Sequence, residues 1–337
     1  MQGAIAGSVG RDPRSIGLGV VGMGRHGSRY VKHLLEGVPG CHLAAVSRRD
    51  EAAGRAFAER HGVLFLGDWR ELVARPEVEA VVAVTPPGLN RDICLASALA
   101  GKPMLIEKPL SLTVAEGREM VGAARAAGVA LMTAQTLRFT PVLERLRATL
   151  PLIGPIEYLC LVMRAERPPH HWLDDPAQAG GGVLLEIGIH LLDLIRYLTG
   201  EEAVEAAGEM LQRHTTRVED LAQVRFRLAS GLPCYVEVSR VSGGRVCRAE
   251  AVGQGGHLLA DVDRSLLTRT EGRTIVSVEP VPDRPTVVMV LEAFVRCLAT
   301  GVPAPVSGED GLRAVVMADA CYRAAREGRP VPVILTA

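Results

Sequence analysis

The sequence contains few aromatic residues and has no excess of either charge. Aromatic residues make up 4% of 337 positions, so the core has to be built mainly from Ala, Val and Leu. The 38 basic side chains balance 38 acidic ones, which excludes a general electrostatic attraction to nucleic acid or to an anionic membrane. We therefore expect a partner that is recognised at a local site, with neither nucleic acid nor membrane among the partners.

Paired cysteine motifs and long hydrophobic runs are also missing. The seven cysteines are scattered and form no CxxC pair, which is typical of reduced thiols in the cytoplasm. No apolar run approaches the ~18 residues that a membrane-spanning helix needs. Residues 1–14 lack the basic start and apolar stretch of a signal peptide. We predict a cytoplasmic protein with about two domains, because a domain takes ~150 residues.

The first half of the chain alternates short apolar strands with amphipathic helices. Strands that are apolar throughout indicate a parallel sheet that is covered on both faces. The pattern predicts an α/β fold with a Rossmann-type, doubly wound dinucleotide-binding domain over residues 15–135. The predicted strands cover residues 16–21, 42–47, 78–85, 104–106 and 129–133, and the predicted helices cover residues 28–36, 50–60, 89–100 and 113–127.

A glycine-rich turn, GMGRHG, follows the first strand and opens a helix, which is the context that dinucleotide binding requires. Gly22 permits the tight turn, Gly24 lets a pyrophosphate approach the backbone, and Gly27 lets helix and strand pack closely. The N-terminus of the helix then offers free N–H groups to the phosphates. We predict that the whole turn contacts the cofactor: Gly22, Met23, Gly24, Arg25, His26 and Gly27.

The end of the second strand indicates which dinucleotide is bound. A carboxylate at that place would bind the ribose diol of NAD, but here the chain has Ser47, Arg48 and Arg49 before Asp50. A hydroxyl followed by guanidinium groups suits a 2′-phosphate better. Ser47 and Arg48 therefore predict NADP as the cofactor, with NAD as the alternative.

Two further segments lie at the carboxyl ends of strands, where ligands bind in such sheets. Thr85 and Pro86 end one strand with Asn90 just beyond, and Glu107 and Lys108 end the next. We predict that all five contact the cofactor. Lys108 is one of only three lysines in the chain, and arginine cannot replace lysine where a group must give up a proton. A surface lysine paired with Glu107 is the alternative interpretation.

The second half of the chain contains a helix with a polar stripe. Three consecutive glycines precede this helix, which is predicted over residues 183–198 and is apolar nearly all round, so that it should be buried. Its polar residues recur on one face: Glu186, His190, Asp193 and Tyr197. Such a stripe either forms a self-satisfied hydrogen-bond ladder or serves a site. Glu186 and His190 could share a cation, but no further ligands have convincing spacing, and we predict no metal.

The remainder of the second half is rich in strands. Alternation with period two over residues 221–228, 234–241 and 246–252 predicts an antiparallel sheet with one face solvated or joined to another subunit. We therefore predict a C-terminal α+β domain over residues 136–334, with a large, open, mostly antiparallel sheet. It should bind substrate and assemble the chain into a dimer or tetramer. Two late helices, at 287–299 and 311–326, should return to pack on the core.

Taken together, these motifs resemble the Gfo/Idh/MocA family, named for glucose-fructose oxidoreductase and inositol dehydrogenase. The resemblance covers about residues 15–334 and rests on GMGRHG, TPPGLN, the EKP at 107–109 and the GGGVLLEIGIHLLD at 180–193. It implies a Rossmann domain followed by a domain with a large open sheet. It also implies NAD(P)-dependent oxidation or reduction of a hydroxyl or keto group on a sugar, cyclitol or related small molecule.

Carried over residue by residue, the resemblance also implies the catalytic groups. The catalytic lysine of the family matches Lys108, and its acid and histidine match Glu186 and His190, although the family more often has Asp at the acid position and His where Asn90 stands. A histidine with a pKa near neutrality is the natural acid/base, and Lys108 would hold charge on the same oxygen. Glu186 would orient the substrate or the imidazole, and all three would contact the substrate.

Further substrate contacts are predicted in a proline-rich loop. In this loop Trp172 can stack on the C–H face of a sugar, while His170 and Asp174 can bond its hydroxyls. A surface loop clamped by prolines is the alternative. Arg138 and Arg164 are weaker candidates of the same kind.

Two other functions stay open on the same fold. One is a redox-neutral enzyme that uses bound NAD(P) transiently, for example in cleaving a glycosidic bond. The other is a non-catalytic, cofactor-sensing protein, which the presence of both Lys108 and His190 disfavours.

Overall fold

The computed structural model describes residues 15–167 and 171–334, without the side chains of residues 171 and 172. Over these ranges the chain forms two sheets, one of six strands and one of nine. No helix in the described ranges is long and apolar enough to cross a membrane. The two sheets confirm the predicted fold class.

The first sheet is parallel, with the strand order β3-β2-β1-β4-β5-β6. Its strands are β1 (Ile16–Val21), β2 (Cys41–Ser47), β3 (Leu64–Leu66), β4 (Ala80–Ala83), β5 (Met104–Glu107) and β6 (Leu131–Ala134). The helices between them are α1 (Gly27–Gly37), α2 (Glu51–His61), α3 (Trp69–Ala74), α4 (Asn90–Leu99) and α5 (Val114–Ala127). The strand order reverses between β1 and β4, which is where ligands bind in open sheets of this kind.

The second sheet is mostly antiparallel, with β7 and β10 as a parallel pair, in the order β14-β13-β12-β11-β7-β10-β9-β8-β15. Its strands are β7 (Ile156–Arg164), β8 (Ala203–Leu211), β9 (Leu221–Leu228), β10 (Pro233–Ser239), β11 (Val246–Gly253), β12 (Gly256–Asp261), β13 (Leu266–Glu271), β14 (Thr274–Pro280) and β15 (Val331–Pro332). In β9 the apolar residues Ala222, Val224 and Phe226 are buried, and the polar residues between them are exposed. One face of the sheet therefore carries the core and the other faces outward.

The described residues also form five α-helices after β6: α6 (Pro141–Thr149), α7 (Pro176–Ala179), α8 (Ile189–Thr199), α9 (Thr286–Thr300) and α10 (Gly308–Glu327). Residues of α8 and α10 share a core with the inner face of the second sheet. Helix α9 instead packs on the first sheet, where Val290 and Phe294 join the core that contains Leu18 and Tyr30. The domain boundary between residues 135 and 136 stays a prediction.

The long helix predicted over residues 183–198 is not uniform. Residues Leu184–Gly188 form a π-helical segment, and the α-helix begins only at Ile189. A π-helical turn is wider than an α-helical turn, with hydrogen bonds from i to i+5 in place of i to i+4. That Glu186 and His190 lie on one face stays a prediction.

Candidate active site

The glycine turn between β1 and α1 contains glycines of two kinds: two are required by close backbone packing, and one leaves space for a ligand. A Cβ on Gly22 would lie 2.3 Å from the carbonyl oxygen of Val84, and one on Gly27 would lie 1.9 Å from that of Gly22. Both glycines are thus needed for close packing. A Cβ on Gly24 would meet no described atom within 4 Å. This glycine keeps open the space before the N-terminus of α1, which fits a bound pyrophosphate.

A buried carboxylate links this turn to the end of β5. Glu107 Oε1 lies 2.7 Å from His26 Nε2 and accepts a hydrogen bond from the Tyr30 hydroxyl at 2.6 Å. Burial alone would raise the pKa of Glu107, but the hydrogen bond and charge of His26, the charge of Lys108 and the Tyr30 hydroxyl together lower it to about 2. Glu107 is therefore ionised, and it ties the phosphate-binding turn to Lys108.

Asn90 holds the turn that carries Lys108. Its Nδ2 donates to the carbonyl oxygens of Glu107, Pro109 and Leu110 at 3.0–3.3 Å, and its Oδ1 accepts from the Thr85 hydroxyl at 3.1 Å. Both ends of the Asn90 amide therefore have partners inside the protein. The structure thus gives Asn90 a supporting position in place of the predicted cofactor contact.

Lys108 reaches across the junction between the two domains. Its Nζ donates to the backbone carbonyl of Glu186 at 2.7 Å, so the lysine at the end of β5 meets the segment that leads into His190. Within the described ranges, the Nδ1 atom of the buried His190 has no hydrogen-bond partner. Burial and the nearby charge of Lys108 lower the pKa of His190 to about 3. The sequence predicted a pKa near neutrality; in the structure the imidazole is neutral at physiological pH.

The Glu186 carboxylate faces a partner that the sequence did not indicate. Both of its oxygens pair with the guanidinium of Arg240, which follows β10 and also donates to the carbonyl of Glu166 at 3.0 Å. The Glu186 carboxylate is thus held by Arg240, and its predicted role in orienting the substrate or the imidazole stays a prediction. No local motif marks Arg240; only the pairing of β10 with its neighbours brings it here.

The three glycines before the π-helical segment are explained by close contacts. A Cβ on Gly181 would lie 2.2 Å from the Tyr322 hydroxyl, and one on Gly182 would lie 1.9 Å from the carbonyl of Glu219. The Glu219 carboxylate accepts from the backbone N–H groups of Gly182 and Leu184, both at 3.0 Å, and from Tyr322 at 2.8 Å. Glu219 thus fixes the start of the segment that carries Glu186 and His190.

The predicted arginine contacts are engaged elsewhere. Arg138 donates to both carboxylate oxygens of the buried Asp193, at 2.7 and 2.6 Å, so this part of the polar stripe is satisfied by a partner. Arg164 pairs with Glu237 at 2.6 and 2.9 Å at the end of β7. Each guanidinium thus has a carboxylate partner within the protein, and the substrate contacts of Arg138 and Arg164 stay predictions.

The proline-rich loop is described only in part. His170 and the side chain of Trp172 lie outside the described residues, and their substrate contacts stay predictions. Asp174 accepts from the Thr216 hydroxyl at 2.8 Å and from the Arg217 N–H at 3.1 Å. Its carboxylate therefore anchors the loop instead of facing the junction.

The residues predicted to distinguish NADP from NAD lie beside the glycine turn. Ser47 is buried at the end of β2, and Arg48 makes a loose contact of 3.8 Å with Asp50. Arg48 also borders a groove of about 540 Å³ that Met23 and Lys32 line. Arg25 and Pro86 lie at the same edge of the sheet. Among the described side chains, no group of three His, Cys, Asp or Glu could hold a metal ion.

Comparisons with known proteins agree with this architecture. A family model described as an oxidoreductase family with an NAD-binding Rossmann fold, GFO_IDH_MocA, matches residues 16–135. A second, the GFO/IDH/MocA C-terminal domain, matches residues 152–259.

Individual relatives cover nearly the whole chain. Inositol 2-dehydrogenase 1 of Saccharopolyspora erythraea is 30% identical over 95% of this chain and 97% of its own length. Myo-inositol 2-dehydrogenase of Thermotoga maritima is 28% identical over 93% of this chain and 97% of its own. The crystal structure of aldose-aldose oxidoreductase from Caulobacter crescentus, complexed with glycerol, has a TM-score of 0.86 and 26% identity, over 95% of this chain and 100% of that one.

Proposed function

The chain belongs to the Gfo/Idh/MocA family of oxidoreductases, and on this premise we propose that it transfers a hydride between NAD(P) and a hydroxyl or keto carbon of a sugar or cyclitol. The observation that carries the proposal is the contact of Lys108 Nζ with the carbonyl of Glu186 at 2.7 Å. It joins the cofactor domain to the helix that bears His190. The two inositol dehydrogenases support a polyol substrate.

The chain's own residues would perform the proton chemistry. The cofactor, when bound, supplies the hydride chemistry, and the protein must position the carbinol carbon and move one proton. Lys108 would donate a hydrogen bond to the carbinol oxygen and stabilise negative charge on it. His190 is neutral and has an unused ring nitrogen, so it can accept the proton. Loss of hydride would turn the carbinol into an O-protonated carbonyl group, which is acidic enough to pass its proton even to this buried imidazole and leave the neutral carbonyl product.

Three supports would hold these groups in place. Asn90 fixes the Lys108 turn, Glu219 fixes the glycines before the π-helical segment, and Arg240 holds Glu186. We also propose that Glu186 contacts the substrate. The carboxylate lone pairs that do not accept from Arg240 would accept hydrogen bonds from substrate hydroxyls. The turn from Gly22 to Gly27 would hold the pyrophosphate of the dinucleotide.

For the cofactor we propose NADP over NAD. No acidic residue stands at the end of β2, and Arg48 is held there only by a 3.8 Å contact with Asp50 among the described residues. A weakly held guanidinium beside the buried Ser47 suits a 2′-phosphate. We also propose a cytoplasmic location, because all seven cysteines are free.

The experiment that tests the proposed function is a panel of sugars and inositols, each incubated with NADP or NAD and followed by the absorbance of the reduced nicotinamide. We expect cofactor reduction with at least one polyol, and reduction at least ~10²-fold slower in Lys108→Ala. A protein that retains its cofactor tightly and changes a substrate with no net change in NAD(P)H would instead be the redox-neutral enzyme.

A further inference from the structure

Gln135, the residue directly after β6, has a buried side-chain amide without a partner. It is 1% exposed, and within the described ranges neither Oε1 nor Nε2 forms a hydrogen bond. Its backbone is satisfied, since its N–H donates to Thr133 at 2.9 Å and its carbonyl accepts from Arg138 at 3.2 Å. Buried amides in folded proteins nearly always have partners, so one with both ends unpaired calls for an explanation.

The sheet places Gln135 beside the proposed catalytic lysine. Ala134 in β6 is the register partner of Glu107 in β5, so Gln135 and Lys108 leave neighbouring parallel strands at the same edge. Strand β6 is the outermost strand of the sheet, beyond β5 when counted from β1. Gln135 therefore lies on the side of Lys108 that is away from the glycine turn and the cofactor phosphates.

An ion pair connects the segment that begins at Gln135 with α8, the helix that bears His190. Arg138, three residues after Gln135, forms a bidentate ion pair with Asp193, three residues after His190. The chain after β6 is thus fastened to α8. Gln135 belongs to the segment that runs from the Lys108 edge of the first sheet to this helix.

His190 contributes the other unpaired atom at this junction. Its Nδ1 is buried without a hydrogen bond in the described part of the chain, like both ends of the Gln135 amide. The remaining unpaired polar atoms, on Ser97 and Arg269, lie in α4 and β13. Among the described residues, three of the five buried polar atoms without a hydrogen-bond partner therefore belong to Gln135 and His190, at the junction where Lys108 contacts the second domain.

We propose that Gln135 binds the substrate next to its reacting carbon and selects polyols with a second hydroxyl on the adjacent carbon. This proposal rests on the proposed function. A hydroxyl both donates and accepts, as does a carboxamide, so one vicinal hydroxyl can satisfy Oε1 or Nε2 of Gln135. Lys108 and His190 would take the reacting oxygen, and Gln135 the neighbouring one. The position of Gln135 beyond Lys108 favours a substrate contact over a contact with the cofactor.

The test compares Gln135→Leu with the wild type on two substrates. One is the vicinal diol that the wild type turns over fastest in the panel, and the other is its deoxy analogue without the adjacent hydroxyl. We expect kcat/KM for the diol to fall by about 10- to 100-fold in Gln135→Leu, and kcat/KM for the deoxy analogue to change by less than about 3-fold. Ser97→Ala, which removes an unpaired hydroxyl outside the junction, is the matched control and should leave both values unchanged.

A second readout needs no substrate. Leucine has nearly the same size as glutamine and removes an amide that has no partner, so the ligand-free variant should unfold at a temperature no lower than the wild type. A clearly lower unfolding temperature would show that the amide has a structural partner, and would overturn the proposal. Equal losses of kcat/KM on both substrates would overturn it as well. A wild type that oxidises no polyol at all would instead refute the proposed function.

Discussion

The neutral state of His190 makes a prediction about stability. Its pKa is 6.5 in an unfolded chain and about 3 in the folded one, mainly because burial disfavours the charged form. Between these pH values the unfolded chain binds more protons, so the contribution of His190 is fully present above pH 6.5 and is lost as the pH falls toward 3. Because of His190, the free energy of unfolding should decrease by about 1 kcal/mol for each unit that the pH falls below 6.5.

Urea unfolding at pH 7.5 and pH 4.5 measures this effect, with His190→Asn as the comparison. Asparagine does not titrate in this range, so the variant should lose less stability than the wild type between the two pH values. Equal losses in both proteins would mean that His190 is protonated in the folded state.

The same residue and Lys108 make a prediction about catalysis. His190→Ala should lower kcat by ~10²–10⁴-fold, the usual contribution of general acid–base catalysis, and should leave the cofactor dissociation constant nearly unchanged. Lys108→Ala should lower kcat comparably. Lys102→Ala removes a lysine that precedes β5, at the edge of the sheet opposite Lys108, where its Nζ donates to the carbonyl of Arg75 at 2.6 Å. It serves as the control in steady-state kinetics. Nearly full kcat in His190→Ala would return this histidine to a structural role.

We expect single residues at the end of β2 to decide whether the protein prefers NADP or NAD. We expect a lower dissociation constant for NADPH than for NADH, and a narrower gap in Arg48→Ala, because the guanidinium would pair with the 2′-phosphate. Fluorescence titration of both nucleotides measures the gap. Arg55→Ala, which removes an exposed arginine paired with Glu51 on α2, should leave it unchanged. A preference of the wild type for NADH would contradict the proposal.

At the scale of elements, we expect different glycines of the glycine turn to serve stability and cofactor binding. Gly24→Ala adds a methyl group that touches no described atom, so the unfolding temperature should stay within about 2 °C of the wild type, whereas the dissociation constant for NADPH should rise at least about 10-fold. Gly27→Ala should instead unfold or strongly destabilise the protein, because its Cβ would lie 1.9 Å from a backbone oxygen. Thermal unfolding and nucleotide titration check both variants. Unchanged NADPH affinity in Gly24→Ala would show that no phosphate approaches this glycine.

The elements that the sequence revealed are those with a long, uniform pattern. The alternation up to β6 comes from strands that are buried on both faces and helices that are buried on one, and the period of two in β9 comes from burial of one face of the second sheet. The three-residue strand β3 and the short helix α3 were missed because neither is long enough to show a period. The π-helical segment was also missed, since it depends on Glu219 and Tyr322, which are distant in sequence.

The residues of the site also fall into those that a local motif indicates and those that no local pattern indicates. Motifs indicated Lys108 and His190, and the structure brings both to the junction of the domains. Arg240 and Gln135 were not found, because nothing local distinguishes an arginine or a glutamine that a distant strand carries to the site. The partners of Arg138 and Arg164 could not be predicted either, because a sequence does not show which carboxylates hold them.

At the scale of the whole molecule, the outer face of the second sheet makes the last prediction. Tyr158 and Tyr235 stand on this face, 39% and 45% exposed, with their rings edge to face at 6.2 Å. The strand register from β7 to β14 places Ile275 and Val278 on the same face, at 62% and 56% exposure. Apolar area in water costs ~25 cal/mol per Å², so a patch of this kind favours a protein partner.

We propose that this face joins copies of the chain into a homodimer or homotetramer. Light scattering at micromolar concentration should give a mass of two or four chains for the wild type. Tyr235→Glu combined with Val278→Asp should shift the mass toward one chain, because a charge buried in an apolar interface loses its hydration without gaining a partner. Leu99→Asp changes an apolar residue that is 92% exposed on α4, away from the sheet, and should leave the mass unchanged. A wild type with the mass of a single chain would mean that this face meets water or a different protein.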